Sequence, residues 1–251
     1  MKQFFLTILA ASAVVSTAHA QPNTQSMSGV FVLAEEGSGV SQPIAALAIL
    51  KFNPDGTVAG FQIHRGPGST LKSSAQGTYS LNGDGTGVLA LATQTMPADN
   101  SDPMQSTANY YLRWSKTRGI AAIRSDTGFY TIGTLALADP GPVKGGFILA
   151  ERGNGLPYAA LGQLNFDGTS AITGSERIAA LGFSAAYNVT GSYATGLDGF
   201  GSFTLNIPST DADGNVSFSP ANYVFAATGN QIFAIRTDGN SAVVSTLTSM
   251  Q

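Results

Sequence analysis

Two glutamates and two arginines occupy matching places in the chain and are the first candidates for chemistry. Glu35 and Glu151 each end a Gly-x-Phe-x-Leu-Ala-Glu segment, and Arg124 and Arg236 each lie in an Ile-Arg-x-Asp segment. Carboxylates and guanidinium groups placed in this way form either an acid–base or ligand-binding pair, or an ion pair that closes the end of a fold. Because a catalytic site is rarely needed twice, we interpret them as structural ion pairs, Glu35 with Arg124 and Glu151 with Arg236.

Aromatic side chains form a second set of candidates. Two tyrosines follow a Gly-x step and two follow an Ala-Asn step, once in each half of the chain, whereas another tyrosine and the single tryptophan have no aromatic counterpart in the second half. A tyrosine inside a small β-domain either lines a cavity or packs in the core with its hydroxyl bonded. The candidate ligand-binding residues are Tyr79, Tyr110, Tyr111, Trp114, Tyr193 and Tyr223.

The sequence lacks the residues that disulfide, metal and nucleophilic catalytic sites require. The chain has no cysteine, which excludes a disulfide scaffold, a cysteine nucleophile and a thiolate metal site. Outside residues 1–20 the only histidine is His64, which we interpret as a surface residue at the end of a strand. Ser69-x-x-Lys72 resembles the nucleophile motif of penicillin-recognising enzymes but lies in a glycine-flanked loop without the helix that they require. We therefore predict no catalytic residue, no metal ion and no cofactor.

The chain after residue 27 contains two tandem copies of one sequence unit. Five segments recur in the same order, and they begin at Gly29 and Gly145, Ala45 and Ala159, Gly77 and Gly191, Ala108 and Ala221, and Ile123 and Ile235. Repetition of this kind is typical of duplicated domains. The predicted units are residues 28–138 and 145–251, joined by a linker at 139–144 that contains two prolines.

Each unit has the pattern of short antiparallel strands. Apolar and polar residues alternate, and turn residues such as those of 53–56 and 82–85 separate the runs, which gives about eight strands a unit. The fold class is therefore all-β, and closure of each meander resembles the barrels of calycins such as lipocalins and streptavidin. The alternatives are two β-sandwiches or one shared sheet. Residues 178–188 are alanine-rich and are compatible with a helix.

The alternation also predicts a set of core residues. They recur at alternating strand positions in both units, and burial of each contributes about 1.5–3 kcal/mol. The set is Phe31, Leu33, Leu47, Phe52, Phe147, Leu149, Leu161 and Phe166.

The first 20 residues have the features of an export signal. Lys2 precedes the apolar run 4–15, and Ala18-His19-Ala20 matches the small-x-small pattern of a cleavage site. We predict cleavage after Ala20, a short tail at 21–27, and a secreted or periplasmic product. No later apolar run reaches the length of a transmembrane helix.

The composition excludes one further class of partner. A net charge of -3 and a charged fraction of 11% argue against a nucleic-acid partner. We favour a secreted, non-catalytic protein that binds a small molecule, another protein or a surface through two β-barrel repeats. The alternative is a hydrolase or isomerase with a barrel-mouth site that uses Glu and Tyr.

Overall fold

The structure, a computed structural model, describes most of the chain after residue 25. The described residues are 26–39, 42–66, 69–95, 102–115, 119–126, 128–139, 141–154, 158–180, 183–210, 216–238 and 242–250. The predicted signal peptide and nearly all of the predicted tail lie outside these residues. The described residues contain no helix of the length and apolarity that a membrane crossing requires.

The described chain consists of sixteen β-strands. The first eight are β1 (Gly29–Ser38), β2 (Pro43–Phe52), β3 (Thr57–Gly66), β4 (Ser69–Leu81), β5 (Thr86–Thr95), β6 (Met104–Ser115), β7 (Gly119–Arg124) and β8 (Tyr130–Leu137). The second eight are β9 (Lys144–Asn154), β10 (Tyr158–Asp167), β11 (Ala171–Ala180), β12 (Phe183–Thr195), β13 (Phe200–Thr210), β14 (Val216–Thr228), β15 (Gln231–Arg236) and β16 (Ala242–Ser249).

Both sets of eight strands close into antiparallel barrels. Consecutive strands pair, and the pairing of β1 with β8 and of β9 with β16 completes each ring. Closure leaves no strand edge exposed in either sheet. The prediction of two tandem eight-stranded barrels is confirmed, and neither a sandwich nor a shared sheet forms. Residues 178–188 belong to β11 and β12 wherever they are described, so the helix considered there is wrong.

Asp-Gly turns form one end of each barrel. Gly56 and Gly85 have φ angles of +87° and +82°, in the left-handed region that glycine adopts most readily. The preceding aspartates accept the N–H of the residue two positions later, as in Asp55 with Thr57 at 2.9 Å. Asp167 and Gly168 repeat this arrangement in the second barrel. We call this end the turn end and the opposite end the mouth.

The turn end of each barrel is filled by an apolar core. In the first barrel Phe31, Phe52 and Tyr79 make edge-to-face contacts with ring centroids 5.2 and 5.0 Å apart. In the second barrel Phe147, Phe166 and Tyr193 repeat the contacts at 5.4 and 5.1 Å. The duplication seen in the sequence is therefore also a duplication of side-chain packing.

Tyr79 ties the entering chain to the turn end of the first barrel. Its hydroxyl accepts a hydrogen bond from the Met27 N–H at 2.9 Å and directs its proton at the carbonyl oxygens of Met27 and Asn53, at 2.6 and 2.8 Å. In the second barrel, the Tyr193 hydroxyl donates to the Val143 carbonyl at 2.9 Å.

We expect Tyr79→Phe to lower the free energy of unfolding by about 1–3 kcal/mol, because the substitution leaves buried polar groups without a partner. The measurement is urea denaturation followed by circular dichroism. Tyr111→Phe is the control, since Tyr111 is 63% exposed and the substitution should have almost no effect. Equal effects at the two positions would contradict this role of Tyr79.

A third apolar cluster joins the two barrels through their outer faces. The first barrel contributes buried side chains of β1, β2 and β3 with the partly buried Ala136 of β8, and the second barrel contributes side chains of β13 to β16. Its fully buried or nearly buried members include Leu47, Ile49, Phe200, Phe233 and Ile235. As a result, β2 is buried on both of its faces along most of its length.

The core prediction is correct for six of the eight residues, which are buried, and Phe31 is partly buried against the same core. Leu161 is wrong, because it is 61% exposed. It lies on the outer face of β10, and Leu47 lies on the outer face of β2 at the equivalent position. Only the β2 face is covered by the neighbouring barrel, so the two leucines differ in burial.

Candidate functional site

The mouth half of each barrel carries polar side chains on its inner wall. In the first barrel Glu35 continues the inward row that begins at Phe31 and Leu33 on β1, and Arg124 lies directly opposite Tyr110 across β7 and β6. In the second barrel Glu151, Tyr223 and Arg236 occupy the equivalent positions. The repeated residues noted in the sequence therefore converge inside the barrels.

Arg124 is held in place by several groups. Its Nε donates to Asp126 at 2.7 Å and its Nη2 donates to the Thr107 carbonyl at 3.2 Å. The guanidinium carbon lies 3.9 Å from the centroid of the Phe129 ring, which is a cation–π contact. Its Nη1 lies 3.9 Å from Glu35 Oε1, which is close enough for charge attraction but too far for a hydrogen bond.

The carboxyl group of Glu35 is buried but has few hydrogen-bond partners to offset the cost of burial. The residue is 1% exposed, its Oε1 has no hydrogen-bond partner, and Thr131 approaches Oε2 at 3.5 Å. Burial raises the pKa of Glu35, and the positive charge of Arg124 opposes that increase. The neighbouring Tyr110 hydroxyl also lacks a hydrogen-bond partner, and burial together with the charge of Glu35 raises the pKa of Tyr110.

A cavity of about 350 Å³ opens in the mouth of the first barrel. Its wall combines hydroxyl, amide, imidazole and guanidinium groups with a few apolar side chains. The lining residues are Gln62, His64, Leu71, Ser73, Thr93, Thr95, Met104, Gln105, Ser106, Thr107, Ala108, Arg124 and Phe129. Protein sites for small molecules have volumes of about 300–1,000 Å³ and a few convergent polar groups, so this cavity has the dimensions of a ligand site.

The hydroxyl groups of the wall are arranged in pairs across neighbouring strands. Ser73 Oγ lies 2.5 Å from Thr95 Oγ1, and Thr93 Oγ1 lies 2.7 Å from Ser106 Oγ. Each hydroxyl carries one donor and two acceptor positions, so a paired hydroxyl retains capacity for a further hydrogen bond. These groups offer a ligand both donors and acceptors.

The wall of this cavity carries little uncompensated charge. Burial, and next the positive charge of Arg124, lower the pKa of His64 from its usual 6.5, so the imidazole is neutral at pH 7. The charge of Arg124 is matched by Asp126 and by the nearby Glu35. The interpretation of His64 as a surface residue is wrong, because it faces the cavity and is only partly exposed.

In the second barrel the equivalent glutamate and arginine have different hydrogen-bond partners from those of the first. Glu151 accepts hydrogen bonds from the hydroxyls of Tyr158 and Ser245, both at 2.7 Å. Arg236 donates to Asp238 at 2.8 and 3.0 Å. Among the described residues no salt bridge joins Glu151 to Arg236, because each group is bonded to these closer partners. The direct pair predicted for this barrel does not form, whereas Glu35 and Arg124 of the first barrel are 3.9 Å apart.

The tyrosine and tryptophan candidates lie at different heights along the barrel axes, and one of them lies on the outer face. Tyr79 and Tyr193 are at the turn ends, where their hydroxyls bond to backbone, and Trp114 packs against the first core. Tyr111 points outward and is exposed. Tyr110 and Tyr223 are buried at the level of the arginines. None of the six lines the cavity that the described residues form in the first barrel.

Sequence reasoning missed the polar residues of the inner walls. On β3 the inward row runs Val58, Gly60, Gln62 and His64, so polar side chains occupy positions where alternation requires core residues. In the second barrel Glu176 replaces Gln62 in the same row. A polar residue in phase with a buried row is the signal that identifies them. Among the described residues, no group of three or more histidine, aspartate or glutamate side chains is placed to hold a metal ion.

Comparisons with known proteins add little to this geometry. No protein-family model matches the chain, and no curated protein does. The chain matches the crystal structure of kievitone hydratase from Nectria haematococca over 90% of both chains, with 7% sequence identity and a TM-score of 0.24. A likeness of that size carries no argument about the fold or the function of this chain.

Proposed function

We propose that this protein binds a small, uncharged molecule in the mouth of its first barrel and that it does so without chemical conversion. The observation that carries the proposal is the cavity of about 350 Å³, in which Gln62, His64 and paired hydroxyls converge. Small β-barrels either fill their interior with side chains or hold one small ligand. The export pattern of residues 1–20 leads us to propose further that binding takes place outside the cytoplasm.

The charges of the wall define the chemical class of the ligand. Arg124 is flanked by Asp126 and Glu35, and His64 is neutral at pH 7, so neither an anion nor a cation gains much attraction. Hydroxyl and carbonyl groups of a neutral ligand match the donors and acceptors of the wall. Its apolar part contacts Leu71, Met104 or Phe129.

The alternative function, a hydrolase or isomerase that uses Glu and Tyr, has less support. Glu35 has the raised pKa that suits a general acid, and Tyr110 lies beside it. Neither residue, however, lines the cavity that the described residues form. A binding role therefore agrees better with the geometry of this cavity.

A set of matched fragments tests the proposal. Benzyl alcohol and benzamide are neutral, and benzoate and benzylammonium are charged compounds of similar size. We expect ligand-observed NMR to show that the neutral pair binds more tightly. Thr93→Ile introduces the residue that the second barrel carries at this position, Ile207, and should weaken binding at least tenfold because the larger side chain enters the cavity.

Gln94→Leu is the control variant, because Gln94 lies on the outer face of the same strand. It should bind the neutral fragments as the unmodified protein does. Tighter binding of the charged pair, or equal binding to Thr93→Ile and the unmodified protein, would contradict the proposed site.

A further inference from the structure

The mouth half of the second barrel has a different chemistry from that of the first. At three inward positions the neutral or apolar residues Ile44, Gln62 and Ser73 of the first barrel are replaced by Tyr158, Glu176 and Tyr187. The inner wall of the second barrel therefore combines two carboxyl groups with several aromatic rings. The two barrels share a scaffold, but their inner walls carry different side chains.

Glu176 is the group that points to a ligand. It is 2% exposed and lies on the inner face of β11, yet neither of its carboxyl oxygens has a hydrogen-bond partner. A buried carboxyl without a partner is strongly unfavourable and is normally satisfied by a donor or a positive charge. Glu151 cannot supply one, because it is itself an acceptor for Tyr158 and Ser245.

Aromatic groups surround the same part of the wall. Tyr187 lies directly opposite Glu176 across β12 and β11, and it packs against the core at the mouth side. Tyr158 lies on β10, and the buried Tyr223 hydroxyl has no hydrogen-bond partner. Aromatic faces beside carboxylates are the combination that binds organic cations, since the ring quadrupole and the carboxylate both attract positive charge.

We propose that the second barrel binds an organic ammonium ion, with Glu176 as its counter-ion and the tyrosines as its walls. Arg236, the arginine that the described residues place on this inner wall, is bonded to Asp238, so its charge is matched. Once Glu176 is ionised, Glu151 and Glu176 therefore give the interior an excess of negative charge. This site is independent of the uncharged-ligand site proposed for the first barrel.

Binding of a cation should release a proton. Burial and the charge of Glu151 raise the pKa of Glu176 to about 8, so the carboxyl is mostly protonated at pH 7 and must ionise when the cation enters. Affinity should therefore rise at least tenfold from pH 6 to pH 9. The other titratable or charged groups of this inner wall, among the described residues, are Glu151, Tyr158, Tyr187, Tyr223, and Arg236 with Asp238.

The test uses isothermal titration calorimetry of the full chain with ethylammonium and tetramethylammonium, and with ethanol and tert-butanol as uncharged probes. We expect the ammonium ions to bind and the alcohols not to bind. Titrations in two buffers of different ionisation enthalpy should show uptake of the released proton by the buffer. Glu176→Gln should weaken ammonium binding at least tenfold and abolish the release.

Two controls keep the result specific. Asp102→Asn removes one negative charge at an exposed position and should leave binding unchanged. Thr93→Ile, which blocks the first barrel, should also have no effect. Absence of ammonium binding between pH 6 and 9, or unchanged binding in Glu176→Gln, would overturn the proposal without affecting the first-barrel site.

Discussion

Replacing Leu47 by alanine should lower the free energy of unfolding by about 2–5 kcal/mol, whereas the same replacement at Leu161 should change it by no more than about 0.5 kcal/mol. The two leucines occupy equivalent positions on the outer faces of β2 and β10, but Leu47 is 0% exposed and Leu161 is 61% exposed. The difference arises because the second barrel packs over β2 and nothing in the described structure packs over β10.

Each leucine is therefore the matched control for the other. The measurement is urea denaturation, followed by circular dichroism for both barrels and by fluorescence of the single tryptophan, Trp114, for the first barrel. Leu47→Ala should also separate the two transitions, because it weakens the contact through which the barrels stabilise each other. Equal destabilisation by the two substitutions would contradict the described packing of the barrels.

The second large effect concerns pH and Glu176. The folded state raises the pKa of this carboxyl from 4.5 to about 8, so between these values the folded protein holds a proton that the unfolded chain has lost. Stability therefore falls as pH rises through this interval, by about 4–5 kcal/mol in total at 1.36 kcal/mol per pH unit. In Glu176→Gln this contribution disappears, because the amide does not ionise.

Thermal and urea denaturation at pH 5 and pH 8.5 measure the effect. At pH 5 the variant and the unmodified protein should be similarly stable, and at pH 8.5 the variant should be more stable by several kcal/mol. The comparison uses the difference between the two proteins at each pH, because Glu35 also has a raised pKa and contributes a slope of the same sign to both. A variant that is less stable at pH 8.5 would show that ionised Glu176 has a compensating partner.

Much of the fold can be predicted from the sequence because local signals and duplication agree. The Asp-Gly turns mark the hairpins, and the alternation of apolar and polar residues shows which side chains face inward. Each block of the first unit also has a second copy that supports the same interpretation. Closure into barrels follows from eight strands that need partners at both edges. Five of the eight predicted core residues, Leu33, Phe52, Phe147, Leu149 and Phe166, are buried inside the barrels for this reason.

The failures have a physical cause in contacts between distant parts of the chain. The sequence pattern predicts that Leu161 matches Leu47, but the burial of Leu47 depends on the neighbouring barrel, which local pattern does not reveal. The sequence pattern does not identify His64 and Glu176 as wall residues, because the strands β3 and β11 extend further toward the mouth than their apolar runs. Polar residues at strand ends look like loop residues until the register of the barrel is known.

The contact between the barrels joins unlike faces, the first three strands of one unit with the last four of the other. The two units are therefore related head to tail. A head-to-tail contact can add further units indefinitely, unless the two faces that remain free differ from the two faces that form the contact. Here they do differ. Gln163 replaces Ile49 on the free face of the second barrel, and Ala121 and Thr86 replace Phe233 and Phe200 on that of the first. These substitutions remove part of the apolar surface that a third unit would need, whereas Leu161 and Ile123, the counterparts of Leu47 and Ile235, remain apolar and exposed.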